Sequence, residues 1–478
     1  MNRAPDLERA LGTSKALTAA REALGPEPAW VVGGAIREAL ISGEAGSIDL
    51  VVEPGAERAA ARAIAKAIDG FAFPLSEEHA SWRAVARDGE LHADVVALRA
   101  ETIEDDLRAR DFTINAVAVP LTGGEPIDPT GGIEDAAARL LRAVSERSFA
   151  DDPLRLLRAP RLAARLDLEL APETVALARA EAGRAGEPAG ERQFAELRRI
   201  VTGPAPMLGL AVMDELELTQ AVLPELAGLR GVIQNPNHHL DVHGHTLAVL
   251  EHVLELEADL PRFCGEEAGR VEALLDEPLG DDLTRRGALR FGALLHDIGK
   301  PGTRGEGGGY VTFIGHDRVG AEMIGSICRR LRTSRRLSEH LQGLALHHLR
   351  LGFLVHERPL SRRRIYEYLR ATDPVGPDVT LLTAADRLSA RGEGELASAE
   401  MIKAHLELVR EILPAALDWH RDGAPSPPLD GVQVAAEVGV RPGPEMGRIL
   451  EELRAASFAG EISGRDEALA LARRLAAG

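Results

Sequence analysis

The side chains near the start of the chain with the clearest chemistry are two aspartates set in short apolar runs. Asp49 lies in Ser47-Ile48-Asp49-Leu50-Val51-Val52 and Asp94 in His92-Ala93-Asp94-Val95-Val96-Ala97. A strand alternates its side chains, so both carboxylates can point the same way from neighbouring strands and share a divalent ion. Upstream, Trp30-Val31-Val32-Gly33-Gly34-Ala35-Ile36-Arg37-Glu38 puts two glycines between an apolar β-branched run and a helix-like segment. Gly33 and Gly34 let backbone N–H groups approach phosphate oxygens with no Cβ in the way, and the helix start adds its positive dipole end. Oxygen ligands beside a phosphate cradle point to magnesium (Mg2+), which bridges carboxylates to nucleotide phosphates. The plainer alternative is glycines that serve strand-to-helix packing and aspartates that cap turns or pair with arginine.

Histidines are scarce before residue 230 and then cluster, from His238 to His356, around Leu294-Leu295-His296-Asp297-Ile298-Gly299-Lys300-Pro301. Imidazole with carboxylate suits a divalent metal that activates water on a phosphate. A lone His-Asp pair is weak, because single histidines usually sit on the surface or satisfied in a core.

Between these groups run Asp105-Asp106-Leu107-Arg108-Ala109-Arg110-Asp111-Phe112-Thr113-Ile114-Asn115-Ala116, Asp128-Pro129-Thr130-Gly131-Gly132-Ile133-Glu134-Asp135 and Asp151-Asp152-Pro153-Leu154-Arg155-Leu156-Leu157-Arg158. With Gly33-Gly34-x-x-Arg37 and Asp49, this order resembles the bacterial-type (class II) tRNA nucleotidyltransferase and poly(A) polymerase family over nearly the whole chain. The resemblance implies an α+β protein: a small mixed or antiparallel-sheet nucleotidyltransferase head (1–145), an all-α neck that reads the base (146–205), an HD-type helical body (206–405) and a tRNA-binding tail (406–478). It implies that Gly33, Gly34 and Arg37 handle a triphosphate, that Asp49 and Asp94 hold magnesium, and that Arg110, Asp111, Asn115, Asp152, Arg155 and Arg158 bind the nucleotide. Asp152 and Arg155 would present acceptor and donors to the Watson–Crick edge of C or A, with no nucleic-acid template.

Two positions depart from the family. Its D-x-D aspartate pair binds two magnesium ions, whereas here the first position is Ser47, whose neutral hydroxyl lacks a carboxylate's charge and bridging capacity. Glu38 stands where the family usually has aspartate. Glu44, just before Ser47, is a candidate replacement ligand.

The His296-Asp297 segment resembles the HD phosphohydrolase superfamily. By position, that resemblance implies a metal set of His245, His296, Asp297, His316, His348 and Asp386 for a divalent metal of unspecified identity, with hydrolysis of phosphate esters such as 2′,3′-cyclic phosphates as a second activity. Whether His243 or His245, and His347 or His348, faces the metal is open at this level.

These groups need elements to position them. Residues 5–25 read as one amphipathic helix ended by Gly25-Pro26. Strands are expected at Val31-Val32, at Ile48–Val52, and at 82–87 and 90–98, the last two joined by Asp88-Gly89, which tolerates positive φ. From Asp151 the pattern is helical, with Arg155, Arg158, Arg161 and Arg165 along one side and Pro160 expected to bend the helix.

Composition bounds the rest. At 478 residues about three domains are expected. With 45% hydrophobic and 27% charged residues, and no apolar run near the ~20 residues of a membrane span, the chain reads as globular with no membrane partner. The start lacks an apolar leader, and Cys264 and Cys328 share no metal or redox spacing, so a cytoplasmic protein is expected. A net charge of −19 opposes a uniformly basic nucleic-acid coat, while arginine stripes such as 329–336 and 362–364 still suit RNA phosphates.

The expected activity is transfer of CMP and/or AMP from CTP and ATP to the tRNA 3′ end with release of pyrophosphate; no protein partner is inferred. The alternatives are an HD phosphohydrolase whose head is weakened or inactivated by Ser47, and a non-catalytic RNA-binding protein.

Overall fold

The computed structural model describes residues 7–12, 14–43, 46–76, 80–307 and 310–477. Glu44 lies outside the described residues. The chain divides into two compact units, Met1–Val222 and Leu223–Gly478.

The first unit opens with two helices, α1 (Leu7–Gly12) and α2 (Lys15–Leu24), in place of the single helix expected over 5–25. Ser14 is the reason for the break, since its Oγ accepts the Leu17 N–H at 3.3 Å and starts α2 afresh. Then follow β1 (Ala29–Val32), α3 (Gly34–Ser42), β2 (Ile48–Val52), α4 (Glu57–Ala67), β3 (Gly70–Ser76), β4 (Ser81–Ala86), β5 (His92–Ala97), α5 (Ile103–Arg108) and β6 (Ala118–Pro120). The strands form one sheet in the order β3-β4-β5-β2-β1-β6. Only β2 and β5 pair parallel; the other neighbours are antiparallel. Strand β3 was not expected, because Gly70 and Pro74 weaken its strand signal. At the sheet's edge a missing N–H breaks no inner ladder.

Alternation along β2 buries Ile48, Leu50 and Val52 while Asp49 points to the opposite side. Helix α4 packs on β3, β4 and β5 and contributes Ala61, Ile64 and Ala65 to the core. After the sheet, the helices Arg155–Leu166, Gly190–Val201 and Pro206–Glu215 pack together. Pro160 does not end its helix. Arg155–Leu166 continues through it, with Pro160 buried among its neighbours, so packing offsets one lost donor.

The second unit is helical. Val242–Ala258, Arg285–Leu295, His316–Arg330, Arg335–His347, Gly376–Ser389 and Ala399–Asp422 form its bulk. A Cβ on Gly299 would lie 2.2 Å from the His316 carbonyl oxygen. Glycine there lets the turn after Asp297 press against the start of the next long helix. The last helices, Gly431–Val438, Pro444–Ala459 and Arg465–Ala477, share a small core of Leu429, Val434, Ile449, Leu453 and Ala468. Asp430 and Gln433 form a capping box at the first of them. Among the described residues no helix is long and apolar enough to cross a membrane.

Candidate active sites in the two units

In the first unit, the parallel register pairs Asp49 of β2 directly with Asp94 of β5, so the two carboxylates share a face of the sheet. Gly33 adopts φ +67° at the mouth of α3, and a Cβ there would meet Asp49 Oδ2 at 3.0 Å. The Gly34 N–H donates to that same oxygen at 3.1 Å. The glycine pair therefore admits a carboxylate at the N-terminus of α3, where the first-turn N–H groups lack intrahelical partners. Burial pushes the Asp49 carboxyl up, and the nearby Asp94 charge adds to this against the Gly34 bond. Asp94 is held differently: Arg83 of β4 donates from Nε to Oδ1 at 2.6 Å and from Nη2 to Oδ2 at 2.7 Å. Ser47 Oγ lies 2.9 Å from His92 Nδ1 across the same strand pair. Among the described residues, no third histidine or carboxylate joins Asp49 and Asp94 in a common ligand group.

Four of the expected nucleotide-binding residues, Arg37, Asn115, Asp111 and Arg158, form one connected network. Arg37 Nη1 donates to Asn115 Oδ1 at 2.7 Å, Asn115 Nδ2 donates to Asp111 Oδ1 at 2.9 Å, and Arg158 Nη1 donates to Asp111 Oδ2 at 3.2 Å. Burial alone would raise the Asp111 carboxyl, but Arg158, Asn115 and the Phe112 N–H hold it below its usual range. Arg110 is fixed by Asp106 and reaches the Asn115 carbonyl. The Arg155 guanidinium binds the carbonyls of Ala109, Arg110 and Ser148, so it braces the segment that carries Arg110. Asp152 accepts from the Leu154 N–H at 3.2 Å and from Arg192 at 3.4 Å.

A cleft of about 720 Å³ opens beside Asp49 and Asp94, lined also by Arg37, Glu38, Arg161, Arg165 and Arg199. Two glutamates cross-link these cations: Glu38 takes Arg165 at 2.7 Å, and Glu196 takes Arg161 at 2.5 Å and Arg199 at 3.3 Å. Sequence reasoning left Arg161 and Arg165 undecided and did not find Arg83, Arg192 or Arg199. Arg83 meets its partner across strands and Arg192 meets Asp152 40 positions away, so spacing gave no signal for them, whereas Arg199 pairs with Glu196 one turn earlier on its own helix.

In the second unit, His245, His296 and Asp386 form one group, and Asp297, His316 and His348 another, with ligand atoms in each within 4.8 Å of one another. His245 and His348 therefore face the cluster; His347 instead accepts from Arg350 Nε at 2.9 Å. Each of three imidazoles is anchored by its Nδ1 to the carbonyl three residues earlier: His296 to Ala293 at 2.8 Å, His316 to Phe313 at 2.6 Å and His348 to Ala345 at 2.6 Å. A carbonyl only accepts, so each Nδ1 carries a proton, which leaves Nε2 as the atom turned toward the cluster.

Asp297 Oδ2 lies 3.1 Å from His296 Nε2 and 3.5 Å from His245 Nε2, and Asp386 Oδ1 lies 3.1 Å from His245 Nε2. Yet both Asp297 oxygens, both His245 nitrogens and His296 Nε2 are buried with no aligned hydrogen bond. These atoms converge on common points rather than on each other, which fits divalent metal. Burial pushes His245 down and His348 down to about 4, whereas His296, against its own burial, is held up by the neighbouring Asp297 charge. Asp297 and Asp386 stay well below the usual carboxylate range, because His296 and Lys300 for the first, and His245 for the second, outweigh burial.

Lys300 Nζ sits 2.6 Å from Asp297 Oδ2 and 2.7 Å from Gln234 Oε1, and the His238 ring packs 4.6 Å from that of His245. Neither was expected at the site, although Lys300 falls within the quoted motif. The cluster floors a cleft of about 750 Å³ walled by Asn235, Phe313, Arg350, Phe353 and Arg387. The arginine stripes nearby are engaged: Arg330 pairs with Glu225, Arg335 with Glu339, Arg363 with Glu452 and Arg364 with Glu357.

Comparison with known proteins places three families along the chain. Residues 29–142 match the poly A polymerase head domain, 167–229 the probable RNA and SrmB-binding site of polymerase A, and 242–391 the HD domain. The A-adding tRNA nucleotidyltransferase of Deinococcus radiodurans is 35% identical over 94% of this chain and 96% of its own length. The CC-adding tRNA nucleotidyltransferase of Thermus thermophilus is 34% identical over 93% of each. In fold, the chain is similar to a CCA-adding enzyme solved with CTP, with a TM-score of 0.62 and 20% identity over 95% of this chain and 92% of the other.

Proposed function

The chain belongs to the tRNA nucleotidyltransferase and poly(A) polymerase family, and from that premise we propose that it transfers CMP, AMP or both from CTP and ATP to the 3′ end of tRNA, releasing pyrophosphate, in the cytoplasm. The single observation that carries this reading is the in-register pair Asp49–Asp94 beside the Gly33–Gly34 entry to α3. The first turn of α3 and Arg37 receive the triphosphate, and the cations of the adjoining cleft balance its charge. Arg37, Asn115, Asp111 and Arg158 act as one scaffold, so the phosphate end and the base end are fixed relative to each other. Arg155 and Asp152 read the base edge, with Arg155 leaving the carbonyls of Ala109 and Arg110 to do so. Asp49 and Asp94 would hold magnesium, which supplies charge neutralisation for in-line phosphoryl transfer. The deciding experiment incubates the protein with tRNA lacking one, two or three terminal nucleotides and labelled CTP or ATP separately. Incorporation is expected, and its pattern fixes whether C, A or both are added; no incorporation at any magnesium concentration overturns the reading.

A second activity is favoured by the buried, unpartnered ligand atoms of the second unit. His245, His296, Asp297, His316, His348 and Asp386 would hold divalent metal and hydrolyse a phosphate ester such as a 2′,3′-cyclic phosphate, with Lys300 steadying Asp297. Elemental analysis of the full chain and hydrolysis of a nucleoside 2′,3′-cyclic phosphate test it: both are expected, and both vanish in His296→Ala. No metal and no turnover would leave a structural helical body.

A further inference from the structure

Among the described residues, the face that carries Asp49 and Asp94 is short of negative charge for two divalent ions, and the shortage has a structural counterpart. Register across β2, β5 and β4 lines up Asp49, Asp94 and Arg83 in one row. In the adjoining row Ser47 faces His92, with Oγ and Nδ1 2.9 Å apart. A hydroxyl bonded to an imidazole brings no formal negative charge where the family's D-x-D pattern has its first carboxylate. In the first row a guanidinium is built into the sheet beside Asp94, bound through both carboxylate oxygens at 2.6 and 2.7 Å. Two carboxylates and one guanidinium leave a single net negative charge, and no third acidic or imidazole ligand among the described residues joins them. A fork of this kind is planar and permanently charged, so Arg83 does not release Asp94 by losing a proton.

We propose that the head works with one divalent ion, shared by Asp49 and Asp94, and that Arg83 provides on Asp94 the positive charge that a second ion would bring. The proposal rests on the transferase reading above. Each carboxylate oxygen has two lone pairs, so Asp94 accepts from Arg83 and still has capacity for a metal on the Asp49 side. Arg83 acts through Asp94, as a positioning residue: it fixes the carboxylate's plane and offsets its charge. A second ion brought to this face meets a resident cation and lacks the carboxylate that Ser47 replaces.

The test counts ions on the full chain. Protein-bound Mn2+ is measured by equilibrium dialysis with a non-hydrolysable α,β-methylene CTP analogue, for the unaltered protein and for Asp49→Ala. Ions held in the second unit cancel in the difference. A difference of one ion is expected; a difference of two overturns the proposal. In the unaltered protein, nucleotide incorporation should rise with free magnesium with a log–log slope near one, and a slope of two likewise overturns it.

Arg83→Gln should lower kcat on the order of 10- to 100-fold. Ser47→Asp combined with Arg83→Gln should regain much of that loss while the Mn2+ difference rises to two, a response that a merely structural arginine would not give. Unchanged kcat in Arg83→Gln, or no recovery in the folded double variant, counts against Arg83. If Arg83→Gln does not fold, the ion count and the magnesium slope decide alone. Absence of incorporation from every tRNA defeats the transferase reading, while the dialysis still decides the number of ions.

Discussion

The two candidate sites arrange their carboxylates and imidazoles in opposite ways. In the second unit both Asp297 oxygens, both His245 nitrogens and His296 Nε2 are buried without a hydrogen bond, while backbone carbonyls hold the Nδ1 atoms of His296, His316 and His348. In the first unit the carboxylates are already engaged, Asp49 by the Gly34 N–H and Asp94 by Arg83, at the edge of a cleft rich in arginine. A metal site made of orphaned buried atoms is costly to leave empty. One made of paired carboxylates is stable without metal and engages when a nucleotide arrives with its own charge. Under the proposed function, the body would hold a resident metal and the head would be completed by substrate.

That contrast is sharpest at one aspartate in each unit. Asp297→Asn keeps the shape but removes charge from the group it shares with His316 and His348. Its expected result is a fall of about 10³-fold in phosphate-ester hydrolysis, reduced metal content, and transfer to tRNA within about twofold of normal. Asp49→Asn should do the reverse, lowering transfer by about 10³-fold with metal content of the isolated protein nearly unchanged. Equal loss of metal from both variants would erase the distinction. Within the head, Arg155→Ala should cost about 10- to 100-fold in discrimination between CTP and ATP and competing nucleotides, read as the ratio of kcat/KM values.

Chelation probes the difference through stability. Removing resident metal held at about 100 times its Kd withdraws about 2.7 kcal/mol from the native state. For the second unit this corresponds to a Tm lower by roughly 5–10 °C, whereas melting of the first unit should not move. A pH-linked effect concerns His405, buried against Thr383 in the body, whose pKa is pushed down to about 4, chiefly by burial. Above its unfolded value near 6.5 it is neutral in both states and its contribution is complete. As pH falls from there toward 4, the unfolded chain takes up a proton that the folded chain refuses, and stability drops by about 1.4 kcal/mol per pH unit. His405→Gln should flatten that limb of the acid denaturation curve.

Much of this was legible in the linear chain. The apolar runs around Asp49 and Asp94 specify strands, the period of two puts their carboxylates on one side, and Asp88-Gly89 joins the flanking pair. His296-Asp297 marks the body's metal centre because both residue types stand together on a helical background. Local spacing misled at Ser14, whose cap splits a helix that the leucine pattern runs together.

What the sequence determined by itself is the set of chemical groups and the elements that carry them, since periodicity and residue type act within a few neighbours along the chain. Only the tertiary structure decided which groups neutralise one another. Arg83 meets Asp94 through strand register, Glu38 meets Arg165 across 127 positions, and His245 rather than His243 turns toward Asp386. Charge and hydrogen bonding act through space, so the state of each catalytic side chain depends on partners that folding, and not spacing, brings within reach.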